Sequence, residues 1–185
     1  TAPPLHDVLT PLWDAWGTGA GALAPLAEAR RRDCAREPFD TPDEVLAYVE
    51  ATAGALMWAA AQRCGVPDSG REIVAHQARG AGLTAWLRAL PQLQVLGLGL
   101  GGAAQAQDLR GLAETARDGL RVAARLHRKL PKRAAAALYP GVRVPRFLSE
   151  VIQGRIDPLT EVPQLSAFQR RASLARLAVT GRWWR

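Results

Sequence analysis

Residues 69–91 read SGREIVAHQARGAGLTAWLRALP, the stretch on which the fold depends most. Ser69 and Glu72 have the spacing of a capping box, in which each side chain bonds the other residue's backbone N–H at a helix start. Apolar residues then recur at helical spacing until Pro91, whose ring has no N–H to donate. The stretch therefore predicts one long helix in the middle of the chain, ended by Pro91.

The segments on either side have the same helical character. Thr41 is followed by a proline and, three residues on, by a glutamate, so a second capping box opens a helix over residues 41–63. The glycine-rich run at residues 97–102 predicts a loop. Helical periodicity returns over residues 107–130 and stops at a proline. Shorter helices are expected over residues 5–16, 23–36, 132–139, 146–153 and 165–180.

Strand signals are nearly absent, because almost no segment alternates apolar and polar residues over several positions. The chain of 185 residues is 48% hydrophobic and 22% charged, which is ordinary globular composition and excludes a collagenous or disordered chain. No linker divides residues 1–185. We therefore expect a single all-α domain, folded as a compact helical bundle.

The sequence also indicates the cellular compartment in which the protein is expected. No apolar stretch approaches the roughly 20 residues that span a bilayer, and the N-terminus lacks the pattern of a secretory signal. Cys34 and Cys64 are too few for a disulfide framework and lack metal-ligand spacing. A reducing, cytoplasmic location is the expectation that follows.

The charge is strongly positive. The net charge is +7, and 22 of the 24 basic residues are arginine. Such a charge favours a polyanionic partner: nucleic acid, anionic lipid or a diphosphate. The alternative is a solvated surface, since arginine-rich composition is also typical of a GC-rich genome. A nucleic-acid role would need a recognised module with stacking aromatics, and the sequence has only the charge, so nucleic acid is not the expected partner.

Motifs for common chemistries are missing. The run at residues 97–102 lacks both the preceding strand of a dinucleotide fingerprint and the Gly-Lys-Ser/Thr end of a P-loop. His6, His76 and His127 lie in separate predicted helices with no ligand partner at i+3 or i+4, so we expect packing or surface roles. No metal ligand or catalytic nucleophile is predicted from these patterns.

Two groups of residues are candidate contacts. Arg30 and Asp33 share a helix face and either point into a polar cavity or lie in solvent at the negative end of the helix dipole. The carboxyl end combines arginine with adjacent tryptophans. It is expected to contact a membrane interface or a partner protein, or to pack against its own bundle. Its residues are Arg182, Trp183, Trp184 and Arg185.

Two adjacent predicted helices resemble those of the squalene/phytoene synthase family, all-α enzymes that condense prenyl diphosphates. Residues 48–54 resemble its Tyr-Cys-x-x-Val-Ala-Gly helix, and residues 82–93 resemble its Gln-Leu-Thr-Asn-x-x-Arg-Asp-x-x-x-Asp helix. The resemblance covers residues 28–93 and is closest to the bacterial phytoene synthase-like branch. It implies a bundle of the isoprenoid (trans-prenyl) synthase type. It also implies ligand-binding roles for Arg30, Asp33, Tyr48, Gly54, Thr84 and Arg88.

The chain departs from the family at the metal ligands. The family holds Mg²⁺ on aspartates, because the departing diphosphate needs its charge neutralised. Ala89 and Leu93 stand at those positions, and hydrocarbon side chains cannot ligate a cation. Only residues 1–27 precede the match, so this version is short at its front. The departures therefore imply a non-catalytic protein with no cofactor.

Degenerate members of this family include a mitochondrial factor needed to assemble respiratory complex I. The resemblance thus implies a protein of interaction or assembly at the membrane face, peripheral to the inner membrane, with a membrane-bound respiratory complex as partner. One alternative is a prenyl-diphosphate transferase that binds its diphosphate through Arg30, Arg88 and Tyr48, with Mg²⁺ as cofactor. The other is a protein that binds a prenyl lipid or an anionic membrane surface.

Overall fold

The long central helix forms and lies between the other helices of the bundle. The computed structural model describes residues 7, 9–101, 106–161 and 165–184. Its helices, in chain order, are α1 Leu9–Trp16, α2 Ala24–Ala29, α3 Arg31–Ala35, α4 Pro42–Val49, α5 Ala55–Arg63, α6 Arg71–Val95, α7 Ala106–Arg125, α8 Val144–Ile152 and α9 Ala167–Thr180.

The central helix α6 differs from its prediction at both ends. Ser69 makes no capping bond, because Asp68–Gly70 form a 3₁₀ turn that leads directly into the helix. Pro91 does not end α6 but lies inside it. Leu90 is fully buried and Leu93 packs on the same cluster, so burial of the last turns offsets the backbone bond that proline cannot donate.

The helix predicted over residues 41–63 forms, but a π-helical turn interrupts it. Thr41 caps its start as expected, since its Oγ1 accepts a hydrogen bond from the backbone N–H of Glu44 at 3.3 Å. The return bond of the predicted capping box does not form, because the Glu44 carboxylate accepts from the backbone N–H of Asp40 at 3.2 Å. Glu50–Gly54 wind as a π turn between α4 and α5. Within that turn the buried Thr52 donates to the carbonyl of Tyr48 at 2.7 Å. Such turns are frequent at functional sites.

Helices α6 and α7 pack closely because each presents a glycine to the other. A Cβ on Gly80 would lie 2.7 Å from the carbonyl oxygen of Ala116. A Cβ on Gly119 would lie 2.7 Å from the carbonyl oxygen of His76. Neither backbone oxygen can move away without displacing its helix. The two glycines therefore determine the spacing of this helix pair.

Several shorter elements differ from the predicted boundaries. Residues 23–36 form α2 and α3 with a break at Arg30, rather than one helix. Helix α7 gives way to a 3₁₀ turn, His127–Lys129, because the last turn tightens before a proline. Of residues 132–139, only Lys132–Ala135 are helical. The predicted first helix begins later, at Leu9, and its residues 5, 6 and 8 lie outside the described residues.

The glycine-rich run is a loop, as predicted, and it is anchored. The backbone N–H of Phe39 donates to the carbonyl of Gly99 at 2.9 Å, and Gly101 donates to the carbonyl of Phe39 at 2.6 Å. These bonds belong to one isolated bridge between Phe39 and Leu100. The loop is thereby fixed to the segment that precedes α4. Gly102 lies outside the described residues.

Two hydrophobic clusters share α6. The larger lies between α4, α6, α7 and α8, and includes Leu83, Leu87 and Phe147. The smaller joins α5 and α6 to the segment at residues 130–138 and to Trp183. Across the described ranges every regular element is helical, which confirms the all-α bundle. No helix in those ranges is long and apolar enough to cross a bilayer.

Candidate functional site

Three of the predicted site residues come together where α3 meets α4. The Arg30 guanidinium lies 3.0 Å from Oδ2 of Asp33. The Tyr48 hydroxyl donates to the same carboxylate, at 2.7 Å from Oδ2 and 3.0 Å from Oδ1. The guanidinium of Arg30 also lies 5.7 Å from the centroid of the Tyr48 ring. Asp33 is therefore shared between an arginine and a tyrosine, and its oxygens are already occupied.

Aromatic and cationic side chains pack around this Arg30–Asp33–Tyr48 cluster. The Tyr48 ring packs edge-on against Phe39, with centroids 5.1 Å apart. The guanidinium of Arg32 lies 4.0 Å from the centroid of Phe39 on that ring's face and donates to the carbonyl of Pro38 at 2.9 Å. The cluster thus connects α3 to α4. Arg30 is largely exposed, so its ion pair contributes little free energy, and the cluster positions the two helices.

Burial and the hydrogen bond to Asp33 raise the pKa of Tyr48 to about 12. The phenol is normally protonated in the folded chain and unfolded chains titrate near pH 10, so the bond stabilises the fold below pH 10. That contribution is lost as pH rises from 10 to 12. We expect the ultraviolet difference titration of the wild type minus Tyr48→Phe to have its midpoint near pH 12. A midpoint near 10, as in urea-unfolded protein, would contradict the buried hydrogen bond.

Arg88 lies on a different side of α6 from this cluster. Trp86 packs edge-on against Phe39, with centroids 6.0 Å apart, and so faces the side of Tyr48. Arg88 is two residues further and projects about 200° around the helix. It donates to the carbonyl of Val142 at 2.7 Å, and its guanidinium lies 4.9 Å from the centroid of Phe147. The grouping of Arg30, Arg88 and Tyr48 around one diphosphate is therefore wrong.

Two further predicted ligand contacts have structural roles. Thr84 is 1% exposed, and its hydroxyl donates to the carbonyl of Gly80 on its own helix at 2.6 Å. Its hydroxyl is thus used inside α6, and the structure does not bring it together with Arg30, Asp33 and Tyr48. Gly54 ends the π turn, and a Cβ there would meet no atom closer than 3.8 Å. A side chain would therefore fit at this position, and packing does not require a glycine there. Burial lowers the pKa of the Arg88 guanidinium.

The positions at which the family resemblance implies Mg²⁺ do not fit the ion. Leu93 is partly buried and packs against the larger hydrophobic cluster, and Ala89 presents only a methyl group. Hard divalent cations require oxygen ligands. In the described part of the chain, no three His, Cys, Asp or Glu side chains are grouped so that they could hold a metal. Cys34 and Cys64 are both free thiols.

The carboxyl end packs against its own bundle. Trp183 is 3% exposed, so its indole packs inside the bundle, which is one of the alternatives expected for it, rather than contacting a membrane or partner. Trp184 stacks on His127, with centroids 3.8 Å apart and planes 22° apart. His127 is therefore a packing residue, one of the two roles expected for it. Arg182 is exposed, whereas Arg185 and His6 lie outside the described residues.

A groove of about 400 Å³ lies beside these tryptophans. We call it the C-terminal groove. One wall is formed by residues 140–143 and by Pro145, and the other by the side of α9 that carries Phe168, Ala172 and Ser173. Gln77 and Leu120 lie between the walls, and Trp183 and Trp184 complete the lining. A wider groove, of about 1380 Å³, lies between α4, α7 and residues 151–158 and has a more polar lining.

Helix α9 leaves an apolar stripe in solvent. Phe168, Ala172, Ala175 and Val179 recur at intervals of four, three and four residues, so they share one face of the helix. All four are exposed, Phe168 by 79% and Val179 by 86%. The opposite side contacts the bundle through Leu177 and through a 2.6 Å hydrogen bond between Ser173 and Tyr139. The outward face of α9 is therefore uncovered.

Comparisons of this chain with family models, curated proteins and solved structures return no match. The resemblance to the squalene/phytoene synthase family thus stays a prediction.

The sequence patterns did not reveal the C-terminal groove or the exposed side of α9. The sequence does carry a signal for the start of α9, since Ser166 and Gln169 have the spacing of a capping box. In the structure each side chain bonds the other residue's backbone N–H, at 3.1 and 3.2 Å. The spacing of the stripe was also readable. Periodicity alone does not tell whether an apolar face is buried or exposed, and here the face that a pattern would assign to the core lies in solvent.

Proposed function

We propose that this chain is a non-catalytic interaction protein that docks on an anionic membrane face through α9. The observation that carries the proposal is the uncovered apolar stripe of that helix, from Phe168 to Val179. A helix with one apolar face and cationic residues beside it lies in the plane of a bilayer interface, with its apolar face among the acyl chains.

The positive charge of α9 favours an anionic surface as the one that its apolar stripe contacts. After Glu161 the sequence has five arginines and no acidic residue. Each residue of an α-helix is rotated by about 100° from the residue before it, and this rotation places Arg171 on one side of the stripe and Arg176 on the other. Each arginine near an anionic surface is worth about 1 kcal/mol of attraction. An anionic membrane therefore complements both the apolar and the charged residues of α9.

Apolar residues stand at the positions where the family resemblance implies metal ligands, and they support a non-catalytic role. Leu93 packs in the larger hydrophobic cluster, where an unpaired carboxylate would be costly to bury. The family resemblance further implies an isoprenoid synthase-type bundle and a membrane-bound respiratory complex as protein partner. Steady turnover of farnesyl or geranylgeranyl diphosphate with Mg²⁺ by the purified chain would overturn the non-catalytic part of the proposal.

Vesicle sedimentation tests the docking surface. The wild type is expected to sediment with vesicles of phosphatidylcholine that contain phosphatidylglycerol, less so at high salt, and not with phosphatidylcholine alone. Val179→Glu should weaken the association at least tenfold, about 1.4 kcal/mol, because it places a carboxylate within the apolar stripe.

Val95→Glu is the matched control. Val95 is equally exposed, at 86%, but ends α6 and is not part of α9. We expect this variant to retain wild-type association. Equal weakening by the two substitutions, or no association of the wild type with anionic vesicles, would contradict a docking role for α9.

A further inference from the structure

We propose that the C-terminal groove binds a single-chain anionic amphiphile, with its hydrocarbon chain between α9 and residues 140–145 and its head group beside Arg143. The groove shares Phe168 and Ala172 with the apolar stripe of α9, whereas its head-group side at Arg143 lies outside that stripe and Val179 lies outside the groove. Three properties of the groove support it: its size and apolar lining, the fixed position of its walls, and its charge.

The size and lining suit one hydrocarbon chain. A volume of about 400 Å³ lies toward the small end of ligand sites, which run from roughly 300 to 1,000 Å³. Most of the lining is apolar, with Leu120, Val142, Phe168 and Trp183 among its residues. Transfer of a hydrocarbon chain from water to such surfaces is favourable, by about 0.8 kcal/mol for each buried CH₂. The groove therefore offers one chain a continuous apolar surface.

The walls are held in place by hydrogen bonds within the protein. On one side, Arg88 donates to the carbonyl of Val142 at 2.7 Å. On the other, the hydroxyls of Ser173 and Tyr139 are hydrogen-bonded at 2.6 Å, which secures α9. Between them the buried Gln77 uses its amide N–H to bond the carbonyl of Leu138 at 2.7 Å. Because these groups are already ordered, little conformational entropy is lost when a ligand enters.

The charge of the groove selects an anionic head group. Its charged lining residues are Arg143 and Arg176, and no Asp or Glu of the described ranges lines it. Arg143 is exposed at the start of α8 and has a left-handed backbone, with φ of 53°. Such a conformation is strained for a residue with a side chain, and strained residues cluster at ligand sites. Among the described residues, the Arg143 side chain has no hydrogen bond or ion pair.

Calorimetric titration with dodecyl phosphate, below its micellar concentration, tests the site. We expect saturable binding of dodecyl phosphate that is at least tenfold tighter than binding of dodecanol, and no saturable binding of dodecyltrimethylammonium or inorganic phosphate. Equal affinity for dodecanol or for the cationic amphiphile would overturn the anionic specificity. An absence of saturable binding by dodecyl phosphate would overturn the whole proposal.

Substitutions in the groove test the hydrocarbon-binding part and the head-group-binding part separately. Ala172→Trp fills the groove from an exposed helix position and should abolish binding, whereas Ala175→Trp makes the same change on the same face of α9 but outside the lining. Arg143→Asn removes the charge and keeps a residue type that tolerates the left-handed backbone. It should weaken dodecyl phosphate at least fivefold without changing dodecanol. Equal effects of the two tryptophan substitutions would overturn the location.

The outcome is distinguishable from that of the docking proposal. Val179 does not line the groove, so Val179→Glu should leave dodecyl phosphate binding unchanged even where it abolishes vesicle association. Loss of both kinds of binding in that variant would contradict a groove that excludes Val179.

Discussion

Trp183→Ala is expected to lower the free energy of unfolding by about 3–5 kcal/mol, the largest effect of any substitution considered for this chain. The reason is that Trp183 is buried in the smaller cluster, where its removal leaves a cavity that only partly closes. Urea unfolding followed by circular dichroism measures the change, as a lower midpoint with an unchanged slope.

The neighbouring residue supplies the control for this prediction. Arg182 is exposed, so Arg182→Ala should change the unfolding free energy by less than about 0.5 kcal/mol. If Trp183 instead contacts a membrane or partner protein, its truncation would leave stability unchanged and weaken that association. Near-equal stabilities of the two variants would therefore contradict the buried position of Trp183.

Gly119→Ala is the second substitution for which we expect a large effect, a loss of about 1–3 kcal/mol. Alanine favours a helix by about 1 kcal/mol over glycine, so the same substitution at a surface glycine of α7 would raise the free energy of unfolding. At Gly119, however, the added methyl group would lie 2.7 Å from the carbonyl oxygen of His76 on α6. The two helices must separate, and the packing lost between them outweighs the gain in propensity.

Gly111 is a matched control in the same helix. A Cβ added there would meet nothing within 4 Å, so Gly111→Ala should stabilise the fold by about 0.5–1 kcal/mol. The two substitutions are chemically identical and differ only in what faces them. Stabilisation by Gly119→Ala in thermal or urea unfolding would contradict the close approach of α6 and α7.

The sequence predicted helices best where a local signal defines their start. Thr41 with its following proline is such a signal, and the capping bond at this helix start forms. The capping-box spacing at Ser69 was misleading, because residues 68–70 form a 3₁₀ turn instead. Pro91 was misleading for another reason: its local cost is outweighed by the burial of Leu90 and the packing of Leu93, which local rules do not include.

The candidate site was harder to predict than the helices. Arg30, Asp33 and Tyr48 do come together, but the Asp33 carboxylate is bonded to the other two side chains. Arg88 was assigned to the same group from its place in a motif, but its direction around α6 takes it to Val142. The C-terminal groove depends on pairs such as Gln77 and Leu138, which lie 61 residues apart and share no sequence signal.

By itself, the sequence determined the all-helical class, the positive charge and the absence of carboxylates at positions 89 and 93. These follow from residue identity and from spacings of three or four residues, over which helix chemistry acts. Only the tertiary structure decided that Trp183 is inside while Phe168 and Val179 are outside. Burial depends on which distant helices cover a face, and that competition among all apolar surfaces of the chain is settled only when the whole bundle packs.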